Sequence, residues 1–236
     1  MGKVFKSQPK PKYRTQPINV TEPKSKYHTM PINVDGQQKK LHPGSNKEHF
    51  EKVKGMLKAS YDEKVQNVGA AKKDAKLSGK RVSVFHDAET AKTYVVHRGT
   101  ASMKDWGTDL MMGLGYEGGN RFKHSEKIQR QAEKKYGKSN VTTMGHSLGG
   151  RLAEKYGKKS AQTITYNKAS VPRSVIESHL KPISKKQTDM RTKLDVVSGL
   201  SKLQRSHNKT QEMSTKTYNP IKAHNLDNFK FKNLTK

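Results

Sequence analysis

Ser147 lies between Gly145 and Gly149 in the run TTMGHSLGG, a G-x-S-x-G pattern. A serine hydroxyl is a poor nucleophile at neutral pH. For it to attack an acyl carbonyl, a histidine must take its proton and a carboxylate must hold that histidine in one tautomer. The flanking glycines let neighbouring backbone approach closely, while a sharp strand-to-helix turn points the hydroxyl off the end of a sheet. The pattern is weak without that turn, so the elements on either side decide whether Ser147 is a nucleophile or an idle turn residue.

Those elements are legible. NVTTMGHS reads as a short strand ending at Ser147, and LGGRLAEKYGKK begins a helix directly after it, which turns backbone N–H groups and partial positive charge toward the serine. Ser45 and Glu48 have the spacing of a capping box, with Phe50, Val53, Met56 and Leu57 following at helical spacing. RVSVFHDAETAKTYVVHRGT predicts two strands around a polar turn at Asp87 to Thr90, the second running into Arg98, Gly99 and Thr100. SEKIQRQAEKKYGK predicts a helix capped by Ser125 and ended at Gly137. AQTITYN and the segment around KLDVVSGL predict two more strands. This alternation, from about residue 80 to 200, implies an α/β fold with a mainly parallel sheet flanked by helices.

Where a G-x-S-x-G run forms a nucleophile elbow of this kind, the acid and then the histidine follow the serine in the chain. The acids available after Ser147 are Asp195 in TKLDVVSGL, Asp189 in QTDMRT and Glu177 in VIESHL; a triad acid belongs on the loop leaving a strand end, which favours Asp195. The histidines are His179, His207 in the polar run LQRSHNKTQ, and His224 in PIKAHNLDNF. His124 and His146 are not assigned as the base.

GHSLGG, preceded by HRGTASMKDWGTDL, resembles the class 3 lipases, acyl hydrolases of the α/β-hydrolase fold. That family carries an F-R-G-[ST] segment, then W-x-x-D-L, then the GHSLGG elbow. Arg98, Gly99, Thr100, Trp106, Asp109 and Leu110 match, while His97 stands where the family has phenylalanine. The resemblance spans roughly residues 80 to 230. It implies Ser147 as nucleophile, Asp195 as the acid and His224, in an H-x-L-x-x-[YF] segment, as the base. It also implies an oxyanion hole from Thr100 and the backbone N–H of Leu148, with Asp109 supporting the Thr100 hydroxyl and Trp106 in a lid region. Lipid esters are the implied substrate, with no metal or organic cofactor. TITYNKASVPRS departs from the family's T-F-G-x-P-R-V-G run.

The chain has 236 residues, 48 Lys and Arg against 20 Asp and Glu, a net charge of +28, and no cysteine. Residues 1–44 read as a flexible basic arm carrying the duplicated KYRTQPINV and KYHTMPINV, with 45–236 as the hydrolase domain. Cysteine chemistry is excluded, and no apolar run has the length of a signal peptide or membrane span, so a soluble or peripheral protein is expected. The charge favours phosphate-rich partners, so an anionic membrane and phospholipase A activity are expected. A second reading is a nucleic-acid-binding or virion-packaged protein that uses the arm on an inactive hydrolase fold.

Overall fold

A computed structural model of the protein describes residues 47–100, 119–181, 184–205 and 210–231. The basic arm, Ser45, the lid region with Trp106 and Asp109, and His207 lie outside the described residues.

The first helix, α1 (Lys47–Ala59), buries Phe50, Val53, Met56 and Leu57, the four positions whose spacing predicts it. A small hairpin, β1 (Asn67–Val68) and β2 (Ala71–Lys73), leads to a longer one, β3 (Val82–Asp87) and β4 (Lys92–His97). Next come α2 (Asn120–Tyr136), β5 (Val141–His146), α3 (Leu148–Tyr156), β6 (Gln162–Tyr166), α4 (Pro172–Leu180), β7 (Gln187–Thr192), β8 (Thr210–Thr215) and β9 (Phe229–Lys230).

These strands form one sheet in chain order, β1 to β9. Strands β4 to β8 are mutually parallel, and the strands outside them pair antiparallel. Alternation along the strands divides the core in two. On one face, Phe85, Tyr94, Val96, Met144, Ile164, Tyr166 and Met190 pack with the apolar side of α1. On the other, Val82, Val84, Val95 and Val141 meet Ile128 and Ala132 of α2, while Leu148 and Leu152 of α3 pack with Phe122. Each fully buried large side chain is worth roughly 1.5–3 kcal/mol relative to exposure, so both faces contribute to holding the sheet.

Two sequence expectations shift. The second helix begins at Asn120, five residues before the expected cap, so Ser125 is a buried mid-helix residue rather than a cap. Its apolar face includes Phe122, which the shorter helix would have left out. The strand expected around KLDVVSGL lies earlier, at Gln187–Thr192, and Asp195 follows in a turn whose N–H bonds the Thr192 carbonyl. QTDMRT lacks an apolar run because its side chains on one face enter a polar network.

That network is charged. Lys168 is fully buried, with Nζ 2.7 Å from Asp189 and 2.8 Å from Glu154; Gln187 and Thr165 also donate to Asp189. A second, around Gln129, joins His97, Thr143, Ser160 and Glu133. His97 therefore has a hydrogen-bonding role at the family's phenylalanine position.

Candidate active site

Register brings the carboxyl ends of the parallel strands together: His97 pairs with Gly145, His146 with Tyr166, and Tyr166 with Met190. Ser147 sits at the end of β5 with φ 57° and ψ −127°, a strained conformation for a residue with a side chain. Its backbone is held from both sides. Its N–H donates to the Tyr166 carbonyl at 3.1 Å, and its carbonyl accepts from Gly150, Arg151 and Ala169. The side chain makes no capping bond to α3.

Two glycines make this turn possible. A Cβ at Gly145 would lie 2.1 Å from the Gly149 carbonyl oxygen, and one at Gly149 would lie 2.0 Å from that of His97. Helix α3 therefore packs its first turn directly on β4 and β5, with backbone against backbone. Leu148 opens α3, so its N–H is a first-turn donor that no helix carbonyl takes. Thr100 follows the end of β4, half-buried, after Gly99.

Asp195 and His224 come together although 29 residues separate them: His224 Nδ1 is 3.0 Å from Asp195 Oδ1, and both side chains are buried. The Asp195 carboxylate also accepts the N–H groups of Val197, at 3.1 Å, and Ser198, at 3.0 Å. Burial works to raise its pKa, but hydrogen bonds from His224 and Ser198 and the His224 charge outweigh burial and hold it below the ordinary value. With Nδ1–H given to Asp195, Nε2 of His224 is left in the acceptor tautomer.

His146 ties this pair to the serine. Its Nε2 donates to the backbone carbonyl of His224 at 2.8 Å, and the two rings lie 4.6 Å apart between centroids. Its Nδ1 accepts from the Tyr61 hydroxyl at 3.0 Å, and that hydroxyl accepts the Gly99 N–H at 3.0 Å. Burial, with the His224 charge, lowers His146 to about 3, so it stays neutral. Burial raises Tyr61 to about 12 despite the bond from Gly99 and the charges of Arg121 and Arg98.

Asn167, with φ 39°, completes the frame: its side chain donates to Thr192 Oγ1 and the Ala223 carbonyl and accepts from the Thr192 N–H. Sequence reasoning missed Tyr61 and Asn167; only the unusual YNKAS following a strand hinted at the latter.

The competing candidates lie elsewhere. Asp189 is paired with Lys168 inside the sheet face, Glu177 pairs with Arg173 on the outer side of α4, and His179 is exposed. A cavity of about 440 Å³ between α3 and α4, lined by Arg151, Glu154, Arg173, Glu177 and Gln204 among others, includes none of Ser147, Asp195 or His224. Among the described residues no cluster of His, Asp and Glu could hold a metal ion, and no helix is long and apolar enough to cross a membrane.

A strained serine at the carboxyl edge of a parallel sheet, backed by a helix N-terminus, defines an α/β-hydrolase fold. The chain belongs to the phospholipase-like family: the model of the Tle-like phospholipase domain matches residues 45–217, a span that includes Ser147 and Asp195 and stops short of His224. It is thereby a carboxylic-ester hydrolase of the lipase and phospholipase kind. No curated protein matches the chain. Among solved structures it is similar to the Rhizomucor miehei lipase propeptide complex (14% identity, TM-score 0.49, covering 78% of each chain). It is also similar to Lip2 lipase from Yarrowia lipolytica (15% identity, TM-score 0.48, covering 72% of this chain and 79% of that one). A triacylglycerol lipase from Penicillium expansum has 14% identity and a TM-score of 0.46, covering 70% of this chain and 77% of that one.

Proposed function

We propose that the protein hydrolyses the carboxylic esters of phospholipids, an A-type phospholipase, with Ser147, His224 and Asp195 as its catalytic triad. The observation that carries this reading is the 3.0 Å pairing of His224 Nδ1 with Asp195, tied by the His224 carbonyl to His146, the residue preceding the strained Ser147.

Ser147 Oγ attacks the acyl carbonyl as His224 Nε2 takes its proton, and the negative oxygen is received by the N–H groups of Leu148 and Thr100. His224 then returns the proton to the leaving glycerol oxygen, releasing the lysophospholipid. Water, giving its proton to His224, attacks the acyl-serine ester; the acyl–Oγ bond breaks as His224 returns that proton to Ser147 Oγ, freeing the fatty acid. Asp195 stays ionised throughout and stabilises the imidazolium at each step. The family's phospholipase description and the net charge of +28 both favour an anionic lipid surface as the substrate's setting, since basic residues near such a surface contribute about 1 kcal/mol each.

Labelling with a fluorophosphonate tests the mechanism. Stoichiometric modification at Ser147, abolished in Ser147→Ala and strongly slowed in His224→Ala, is the expected result. Folded protein that takes no label, with detergent or vesicles present, would refute it.

A further inference from the structure

We infer that Arg98 and Arg121, with Arg81 beside them, form a binding site for the phosphodiester of a phospholipid whose ester lies at Ser147. This rests on the ester-hydrolase reading above and extends it by assigning the group that selects the substrate.

Arg121 stands in the first turn of α2, a turn without an acidic residue, and its Nη2 donates to the Arg98 carbonyl. The Arg98 N–H bonds the Arg81 carbonyl at 3.0 Å; its guanidinium lies 5.2 Å over the Tyr61 ring and donates to the Lys80 carbonyl. Three arginines thus meet at the end of the β3–β4 hairpin, Arg121 and Arg98 half-buried and Arg81 exposed, and none has a carboxylate partner among the described residues. Nε of Arg121 is buried and makes no hydrogen bond among those residues. Burial, reinforced by the like charges of Arg81 and Arg98, lowers Arg121 to about 10. Buried Lys168, by contrast, has two carboxylates. Arg121, burial-shifted beside two further arginines and without a carboxylate partner among the described residues, calls for an external anion, and the planar guanidinium fork suits phosphate oxygens.

Place decides which anion. Gly99 joins Arg98 to Thr100, and a Cβ there would lie 3.1 Å from Ser147 Cβ, so the cluster begins at the backbone touching the nucleophile. In a glycerophospholipid only the glycerol carbons separate phosphate from ester. A phosphate held by Arg98 and Arg121 therefore sets an ester beside Ser147, while a neutral glyceride gains nothing from these arginines.

The test measures binding to the full chain carrying Ser147→Ala, so turnover is not needed. The ligands are monomeric dihexanoylphosphatidylglycerol, dihexanoylglycerol and inorganic phosphate. Arg121→Gln is expected to lower the ratio of phospholipid to diacylglycerol affinity about tenfold, with Arg121→Lys retaining part of it. If Arg121→Gln does not fold, Arg98→Gln must show the same fall. An unchanged ratio, or equal losses for both lipids, overturns the proposal. So does inorganic phosphate binding more tightly than the phospholipid, which would make this a free-anion site. Arginine-dependent phospholipid binding in a wild-type chain that never takes fluorophosphonate would sink the hydrolase reading alone; a labelled enzyme with an unchanged ratio would sink the phosphate site alone.

Discussion

The Tyr61 hydroxyl lies 3.0 Å from Nδ1 of His146. Since Nε2 of His146 donates to the His224 carbonyl, Nδ1 must accept, and the tyrosine is the donor. The same hydroxyl accepts the Gly99 N–H, so one oxygen links the end of β4, the residue before Ser147 and, through His146, the backbone of His224.

Tyr61→Phe keeps the ring and removes both bonds. It leaves a buried N–H and a buried ring nitrogen unsatisfied, which costs about 1–3 kcal/mol. As a positioning residue, Tyr61 should affect kcat more than KM: we expect kcat on a short-chain ester to fall roughly tenfold, a loss equivalent to about 1.4 kcal/mol of barrier. A rise in KM with kcat unchanged, measured by steady-state kinetics, would contradict a positioning role.

Asp195→Asn should leave the fold intact and lower kcat by about four orders of magnitude, because the amide favours the wrong His224 tautomer. Asp189→Asn should do the reverse. Weakening the partner of buried Lys168 destabilises the sheet by about 3 kcal/mol or more, with kcat of the remaining folded protein within a few-fold of wild type. Denaturant titration alongside ester hydrolysis separates the two carboxylates.

Gly149→Ala forces a methyl to within 2.0 Å of the His97 carbonyl oxygen, and no side-chain rotation can relieve a backbone clash. The expected result is loss of several kcal/mol of stability or loss of soluble protein. A variant that melts within a few degrees of wild type would show that α3 can lift off β4.

Acid should destabilise the protein from below pH 6.5. Burial lowers His97 to about 4 and His146 to about 3, so between those values and 6.5 the unfolded chain binds protons that the folded one refuses. Stability therefore falls as pH drops through this window, by on the order of 2 kcal/mol per histidine at pH 5. Asp195, with a lowered pKa, adds its loss only below about 4. Thermal unfolding from pH 8 to 5 measures this slope, and His97→Gln, which can still donate to Gln129, should flatten it.

Local signals carried much of the fold. The four apolar positions of α1, the β3–β4 hairpin and the strand–serine–helix order around Ser147 were legible because burial on one face imposes a period. The misplaced strand had the opposite cause. QTDMRT is buried through polar partners, Lys168 and Thr165 above all, and hydropathy does not register a strand whose inward side chains are satisfied by hydrogen bonds and charge. Ser125 misled for a related reason: a serine with cap composition lies inside α2, where the apolar spacing that includes Phe122 overrides local preference.

By itself the sequence determined the glycine-bracketed serine, because the backbone closeness of Gly145 and Gly149 is a property of residue type and spacing. It also determined the chain order of candidate acid and base. The loop position after a strand already favoured Asp195 over Asp189; tertiary structure added the pairing of Asp195 with His224 and of Asp189 with Lys168. Only tertiary structure brought Tyr61, 85 residues distant in the chain, to His146. A single hydrogen bond across such a separation leaves no periodicity in the chain; it exists because packing α1 on one face of the sheet fixes where the following residue turns.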